Sequence, residues 1–235
     1  MTSAKLLESG TAAVNAACAA SGVEVVTTTG LLRVDLSPGA DNDAALQRAR
    51  ADIDRAVAVG ARSVYTLTGP RRHADWDDNV DAYARAVAGL LAYARSRDVV
   101  LAVEPASWLY ADLTFVHSFH DALAFARATG LRICLDAFHV WTERSLARDI
   151  ARNVELIAHV QLSDLDRGAR SLPCRSVLGA GDVPIRAIVG WLLDAGYPGP
   201  FDLELSGPSI DAMGHRAAAE YSARQLDALL TELGA

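Results

Sequence analysis

Residues 131–140, LRICLDAFHV, contain a short apolar run that ends at Asp136 and is followed three residues later by His139. Three other apolar runs also carry a polar group near their carboxyl end: Glu104 in VVLAVEP (99–105), Gln161 in AHVQLSD (158–164) and Glu204 in FDLELS (201–206). Each run has the length and composition of a buried parallel strand. Because parallel strands of enzymes carry their chemistry at their carboxyl ends, the four groups are predicted to form one site.

Helical stretches alternate with strands along the whole chain, which predicts an α/β fold with a parallel sheet and right-handed crossovers. A doubly wound open sheet and a TIM barrel both fit this alternation. The barrel is favoured because several separate strand ends carry candidate site residues, and no GxGxxG or P-loop motif follows any strand. Loops are predicted at 137–141 and 165–182, and the chain, 1–235, is predicted to be a single domain. The strands are predicted at 23–30, 63–70, 99–105, 132–136, 158–164 and 201–206.

The number of strands raises a difficulty, because a closed TIM barrel has eight and only six are visible in the sequence. The fold is therefore predicted to be a TIM (β/α) barrel that lacks its first two βα units, with unrecognised strands as the alternative. Such a remnant would have two free sheet edges, which favour pairing with another chain. A homo-oligomer is predicted on this ground, and an open barrel of low stability is the alternative.

The composition excludes several classes of protein. With 51% hydrophobic and 22% charged residues, the 235-residue chain can bury a sizeable core, and its net charge of −7 argues against a nucleic-acid partner. No segment resembles a signal peptide or a membrane span, and the three scattered cysteines indicate neither disulfides nor a zinc knuckle. A cytoplasmic protein is predicted. Lys5 is the only lysine and lies far from the strand ends, so Schiff-base chemistry is not expected.

The polar groups at the strand ends have the chemistry of a metal site. Two glutamates, one aspartate and one amide form a set of hard oxygen ligands, which suits Mn²⁺ or Mg²⁺ rather than a thiolate-bound metal. Since residues two apart in a strand face the same side, His159 shares a face with Gln161, and Asp202 shares one with Glu204. His159 and Asp202 are predicted to form a buried polar pair beneath the ligands, with direct metal binding as the alternative.

From about Gly60 onwards the chain resembles the sugar phosphate isomerase/epimerase superfamily, which consists of xylose-isomerase-like TIM barrels. The resemblance lies in the segments LAVEP, WLYAD, LDAFHVW, HVQLSD, RSVLGAGD and AGYPGPFDLEL. It implies a divalent metal, Mn²⁺ or Mg²⁺ with Co²⁺ or Zn²⁺ as alternatives, held by Glu104, Asp136, Gln161 and Glu204. Many members have histidine at the position of Gln161, and the hydroxypyruvate-isomerase-like members have glutamine there.

The resemblance also implies a reaction, the isomerisation or epimerisation of a small sugar, sugar phosphate or keto-polyol through an enediolate. Glu104 and Glu204 would act as base and acid on opposite faces of the substrate. His139 would hydrogen-bond a substrate oxygen, and Arg175 would hold a hydroxyl, carboxylate or phosphate. Two alternatives stay open at this point: a lyase or dehydratase on the same scaffold, and a truncated relative without catalysis. Leu178 departs from the family pattern, which has proline there.

Overall fold

The computed structural model describes residues 1–30, 32–166, 168–169 and 172–235. These residues form two compact units, Met1–Cys134 and Leu135–Ala235. Within the described residues, no helix combines the length and the apolar character needed to cross a bilayer. The predicted single domain stays a prediction, and each unit is described below by itself.

Parallel strands form the centre of the first unit. They are β1 (Thr27–Thr29), β2 (Ser63–Thr66), β3 (Val100–Val103) and the first residues of β4 (Arg132–Asp136), in that order. The register pairs Thr28 with Val64, Val64 with Leu101, and Val103 with Ile133. The parallel pairing of strands that alternate with helices confirms the predicted α/β class.

The helices of the first unit follow the local signals in its sequence. They are α1 (Ser3–Ser9), α2 (Thr11–Ser21), α3 (Asp43–Ala58), α4 (Trp76–Ser96) and α5 (Phe119–Thr129), with a 3₁₀ turn at Trp108–Tyr110. Asp75 caps α4 by accepting a hydrogen bond from the backbone N–H of Asp77 at 2.8 Å. The buried ring of Tyr83 in α4 packs 5.1 Å from that of Phe125 in α5. This aromatic contact packs α4 against α5.

The outer edge of β1 is paired with the first residues of the chain. Thr2 forms a parallel bridge with Thr29, and the Thr29 N–H donates to the Met1 carbonyl oxygen at 2.9 Å. The Ser3 hydroxyl donates to the Thr29 carbonyl oxygen at 2.7 Å. This edge therefore has hydrogen-bond partners within its own unit, and it does not supply the free edge on which the prediction of a homo-oligomer relied. The oligomeric state stays a prediction.

The second unit begins with the last two residues of β4 and continues with strands and helices in alternation. Its central pair is β5 (Ile157–Leu162) and β8 (Phe201–Leu203), which run parallel with Val160 opposite Phe201. A 3₁₀ turn at Val154–Leu156 leads into β5. The other elements are α6 (Ala137–Val140), α7 (Leu146–Asn153), β6 (Asp164–Leu165), β7 (Arg175–Ser176), α8 (Ile185–Asp194), α9 (Pro208–Met213) and α10 (His215–Leu233).

The two predicted loops contain regular structure. Residues 137–140 form the short helix α6, and within 165–182 the strand β7 pairs antiparallel with β6, with Leu165 opposite Arg175. The predicted loop also includes Arg167, Arg170 and Ser171, which lie outside the described residues. Both differences concern predicted site residues, because α6 carries His139 and β7 carries Arg175.

Candidate metal and substrate site

Asp136 is a buried residue of the candidate site whose side chain is held by a backbone hydrogen bond. It ends β4, its side chain is fully buried, and its Oδ1 accepts a hydrogen bond from the backbone N–H of Phe138 at 3.0 Å. This bond caps the first turn of α6, which explains why the predicted loop is helical. The turn carries His139 back toward the carboxylate, with Nε2 3.6 Å from Asp136 Oδ2.

Arg175 joins two of the predicted ligands. Its Nη2 lies 2.6 Å from Asp136 Oδ2 and 3.2 Å from Glu204 Oε1, and its side chain is only 4% exposed. Its Nη1 donates to the Ser163 hydroxyl at 2.8 Å, and its guanidinium carbon lies 4.3 Å from the centre of the Phe138 ring. The structure therefore brings together Asp136, Arg175 and Glu204, here called the carboxylate–arginine cluster.

The loop that follows Arg175 is held in place by Asp164. The Asp164 side chain accepts backbone N–H bonds from Leu165 and Val183 at Oδ1, both at 2.9 Å, and from Gly179 at Oδ2, at 3.0 Å. A side chain at Gly181 would collide with the Leu165 carbonyl oxygen and the Asp164 carboxylate, so only glycine fits there. The buried Asp164 side chain thus fixes the backbone of the segment that follows Arg175 through hydrogen bonds.

Replacing Asp164 with asparagine is expected to destabilise the protein by about 2–4 kcal/mol, since one accepting oxygen becomes an amine donor that faces backbone N–H groups. Urea unfolding measures the loss, and the matched control is Asp166→Asn, because Asp166 is exposed two residues away. If Asp164→Asn lowers the free energy of unfolding by less than 1 kcal/mol, or if both variants lower it equally, the proposed role of Asp164 in holding this segment is wrong.

Glu204 has a carboxyl group with a raised pKa and one buried oxygen atom. It follows β8, where its N–H donates to the Leu162 carbonyl oxygen at 3.1 Å. Its Oε2 is buried and has no hydrogen-bond partner among the described residues. Burial and, to a smaller extent, the negative charge of Asp136 raise the pKa of the Glu204 carboxyl to about 7, against the opposing positive charge of Arg175. Near neutral pH this group can hold or release a proton.

His139 is neutral at physiological pH. Burial is the main cause that lowers the pKa of its imidazole to about 4; the negative charge of Asp136 opposes this shift and the positive charge of Arg175 adds to it. Its side chain is only 5% exposed. A neutral imidazole has one donor and one acceptor nitrogen, so His139 can hydrogen-bond a substrate hydroxyl or ligate a metal.

His159 and Asp202 form the predicted polar pair, but only His159 is buried, so the prediction of a buried pair is wrong for Asp202. His159 is buried, its Nε2 lies 3.3 Å from Asp202 Oδ2, and the Asp202 side chain is 42% exposed. Burial tends to raise the pKa of the Asp202 carboxyl, but the hydrogen bond and charge of His159 outweigh it and hold the pKa below its usual value. The contact joins the side chains of β5 and β8, and Asp202 lies two residues before Glu204.

Gln161 and Glu104 are the other two residues of the predicted set of four metal ligands. Gln161 lies on β5, is 1% exposed, and stands opposite Asp202 in the register. Glu104 belongs to the first unit, where it follows β3, is buried, and donates its N–H to the Thr66 carbonyl oxygen at 3.0 Å. Gln161 lies near the carboxyl end of β5 and Glu104 directly follows β3, and their roles as ligands stay predictions.

The donor groups of the second unit suit a divalent cation. Asp136 and Glu204 could supply carboxylate oxygens, among them the buried Glu204 Oε2 that has no hydrogen-bond partner within the described residues, and neutral His139 could supply a nitrogen. Oxygen-rich sets of this kind bind Mg²⁺ or Mn²⁺, and an added imidazole also suits Zn²⁺. The residues therefore fit the metal that the sequence predicts.

Sequence reasoning missed two residues that hold the cluster, Ser163 and Phe138. Nothing in their sequence context distinguishes them, because a serine after a strand and a phenylalanine between two site residues are common. Asp164 had a weak signal, since an aspartate at a strand end precedes the glycine-rich turn GAGD at 179–182. Its role depends on backbone N–H groups as far away as Val183, which only the fold brings near.

Comparison with known proteins places the chain among TIM barrels. The family model described as xylose isomerase-like TIM barrel matches residues 2–229, and a search of curated protein sequences finds no match. A protein of Sinorhizobium meliloti 1021 is 22% identical over 94% of this chain and 86% of its own, with a TM-score of 0.79. At such identities a structural likeness concerns the fold, and it agrees with the predicted barrel.

Two further solved structures carry functional names. The IolI protein with a bound zinc atom is 12% identical, with a TM-score of 0.83 over 99% of this chain and 87% of its own. The 3-keto-D-glucoside 4-epimerase YcjR of E. coli is 17% identical, with a TM-score of 0.72 over 94% of this chain and 86% of its own. An epimerase and a zinc-binding protein thus share the fold of this chain.

Proposed function

The chain belongs to the xylose isomerase-like TIM-barrel family, and on this basis we propose that it is a divalent-metal-dependent isomerase or epimerase of a small carbohydrate. The observation that carries the proposal is the environment of Glu204. Its carboxyl group has a pKa raised to about 7 and lies within the carboxylate–arginine cluster. A general base works best when its pKa is close to the working pH.

The proposed ligands are Glu104, Asp136, Gln161 and Glu204, with Mn²⁺ or Mg²⁺ as the metal. A divalent ion held by these groups supplies a Lewis acid that polarises a substrate carbonyl and stabilises the negative charge of an enediolate. Asp136 is fixed by its bond to the Phe138 N–H, so it supplies an oxygen in a defined position. The zinc atom bound to the IolI protein supports a metal in this fold.

The proposed proton transfer uses the two glutamates. Glu204 takes a proton from the carbon next to the substrate carbonyl or returns one to it through Oε2, which is buried and has no hydrogen-bond partner among the described residues. Glu104 is proposed as the second acid–base group, because it too follows a parallel strand of the barrel. An epimerase needs a proton carrier on each face of the planar intermediate, whereas an isomerase can work with one.

Two residues are proposed to orient the substrate. Neutral His139 donates or accepts one hydrogen bond with a hydroxyl next to the reacting carbon. Arg175, with its donors in a rigid fork, holds a hydroxyl, carboxylate or phosphate oxygen. The side chains of His139 and Arg175 are only 5% and 4% exposed. This low exposure supports a small substrate, since a large one could not reach both groups.

The proposal is tested by incubating the protein with Mn²⁺ and a panel of small aldoses, ketoses and keto-polyols in deuterium oxide. Isomerisation or epimerisation incorporates solvent deuterium at the carbon next to the carbonyl, and mass spectrometry of the recovered sugar detects it without loss of water. A product lighter by one water would favour a lyase on the same scaffold. Absence of both changes across the panel would contradict the proposal.

The affinity for Mn²⁺ is expected to fall about tenfold for each pH unit below 7, because Glu204 must release its proton before it can bind the metal. His139 adds no slope above pH 5, since its pKa is about 4. Calorimetric titrations at pH 5.5, 6.5 and 7.5 measure this profile. An affinity that does not change between pH 5.5 and 7.5 would contradict the role of Glu204 as a ligand.

A further inference from the structure

Arg175 and the proposed metal depend on the same oxygen atoms. The Nη2 atom of Arg175 contacts Asp136 Oδ2 at 2.6 Å and Glu204 Oε1 at 3.2 Å. Both carboxylates are proposed ligands, so this inference rests on the proposed function and concerns how the same site is regulated. A side chain with a permanent positive charge here must affect how a cation binds.

Both carboxylate oxygens of Asp136 already accept hydrogen bonds, so a cation that binds Asp136 must share or displace one of them. Its Oδ1 accepts the Phe138 N–H at 3.0 Å, and its Oδ2 accepts the bond from Arg175. A divalent ion such as Mg²⁺ binds oxygen at about 2.1 Å. If it shared Oδ2 with Arg175, the two positive charges would lie within about 5 Å of each other among buried side chains, where repulsion is weakly screened.

We infer that Arg175 is an internal counter-cation of the metal site, which pairs with Asp136 and Glu204 and gives up these pairs when a divalent cation binds. The arginine offsets the negative charge of the buried Asp136 carboxylate and of the neighbouring Glu204 carboxyl group when no metal is bound. It therefore stabilises the protein and, because it competes for the same oxygens, lowers the affinity for the metal.

Two further contacts of Arg175 fit such an exchange. Nη1 donates to the Ser163 hydroxyl at 2.8 Å, and the guanidinium stacks on Phe138 at 4.3 Å. Neither contact involves a carboxylate, so both can persist while Nη2 is released. The released Nη2 can then bind an anionic or hydroxyl oxygen of the substrate. Metal binding would in this way prepare Arg175 for the substrate, and the metal would bind first.

The test compares Mn²⁺ binding by calorimetry at pH 7.5 in the wild type, in Arg175→Gln and in the control Arg186→Gln. Arg186 lies in the same unit, is 63% exposed and pairs with Glu232. Arg175→Gln is expected to bind Mn²⁺ at least tenfold more tightly than the wild type, to melt at a lower temperature without added metal, and to regain its melting temperature with Mn²⁺. Arg186→Gln is expected to match the wild type within twofold.

Equal or weaker binding by Arg175→Gln, with Mn²⁺ bound by the wild type, overturns the inference and leaves the proposed function standing. If neither the wild type nor Arg175→Gln binds Mn²⁺, both the inference about Arg175 and the proposed metal-dependent function are wrong. If Arg175→Gln does not fold, NMR of the arginine guanidinium nitrogens in the wild type decides. Saturating Mg²⁺ is then expected to shift the Arg175 resonances and to speed rotation about its Nε–Cζ bond, and unchanged resonances with Mg²⁺ bound overturn the inference.

Discussion

Replacing Glu204 with glutamine is expected to lower kcat by about 10²–10⁴-fold, the range typical for the loss of a general base. Glutamine has nearly the same shape but cannot accept a proton from carbon. It also removes a charged ligand, so the assay must be made at a Mn²⁺ concentration that saturates the variant. The incorporation of solvent deuterium into the recovered sugar should fall in parallel with kcat, because both depend on the same proton transfer.

The matched control is Glu220→Gln, since Glu220 lies on α10 and its side chain is 56% exposed beside Arg216. This variant should keep the kcat of the wild type within twofold. If Glu204→Gln binds Mn²⁺ and keeps more than a tenth of the wild-type kcat, Glu204 is not the general base of the reaction. A loss confined to KM would instead make it a binding residue.

Replacing Asp136 with asparagine is expected to reduce the free energy of unfolding by about 3–5 kcal/mol, the cost of leaving a buried charge without its partner. Asp136 is fully buried, and Arg175, at 4% exposed, would lose its shortest ion pair. The new amide would also turn an NH₂ group toward the guanidinium. Urea unfolding in the presence of EDTA measures this loss apart from any contribution by metal.

A double variant makes this prediction specific. Removing both charges, in Asp136→Asn combined with Arg175→Gln, should cost at least 1 kcal/mol less than the sum of the two single changes, because neither charge is then left unpaired. Asp194→Asn, at an exposed position in the same unit, is the control and should change stability by less than 0.5 kcal/mol, as is usual for surface changes. Strict additivity of the two single losses would show that the ion pair contributes nothing.

The sequence predicted the parallel strands and the order of the site residues well, because both depend on local pattern. Apolar runs of strand length end at Asp136 and just before Glu104 and Glu204, and the observed strands β3, β4 and β8 lie within the predicted ranges. Helix signals such as Asp75 before α4 are equally local. The loops were less predictable, since α6 forms only because Asp136 caps it and β7 only because β6 lies beside it.

What the sequence by itself determined is the α/β class, the barrel family and the identity of the chemical groups, since these follow from periodicity and motif. Only the tertiary structure decided how those groups are charged and paired. Arg175 lies 39 residues after Asp136 in the chain, yet its Nη2 is 2.6 Å from the Asp136 carboxylate. The raised pKa of Glu204 and the lowered pKa of His139 likewise come from burial and from neighbours that are distant in sequence. Burial and Coulomb interactions depend on distances in space, and a linear pattern does not contain them.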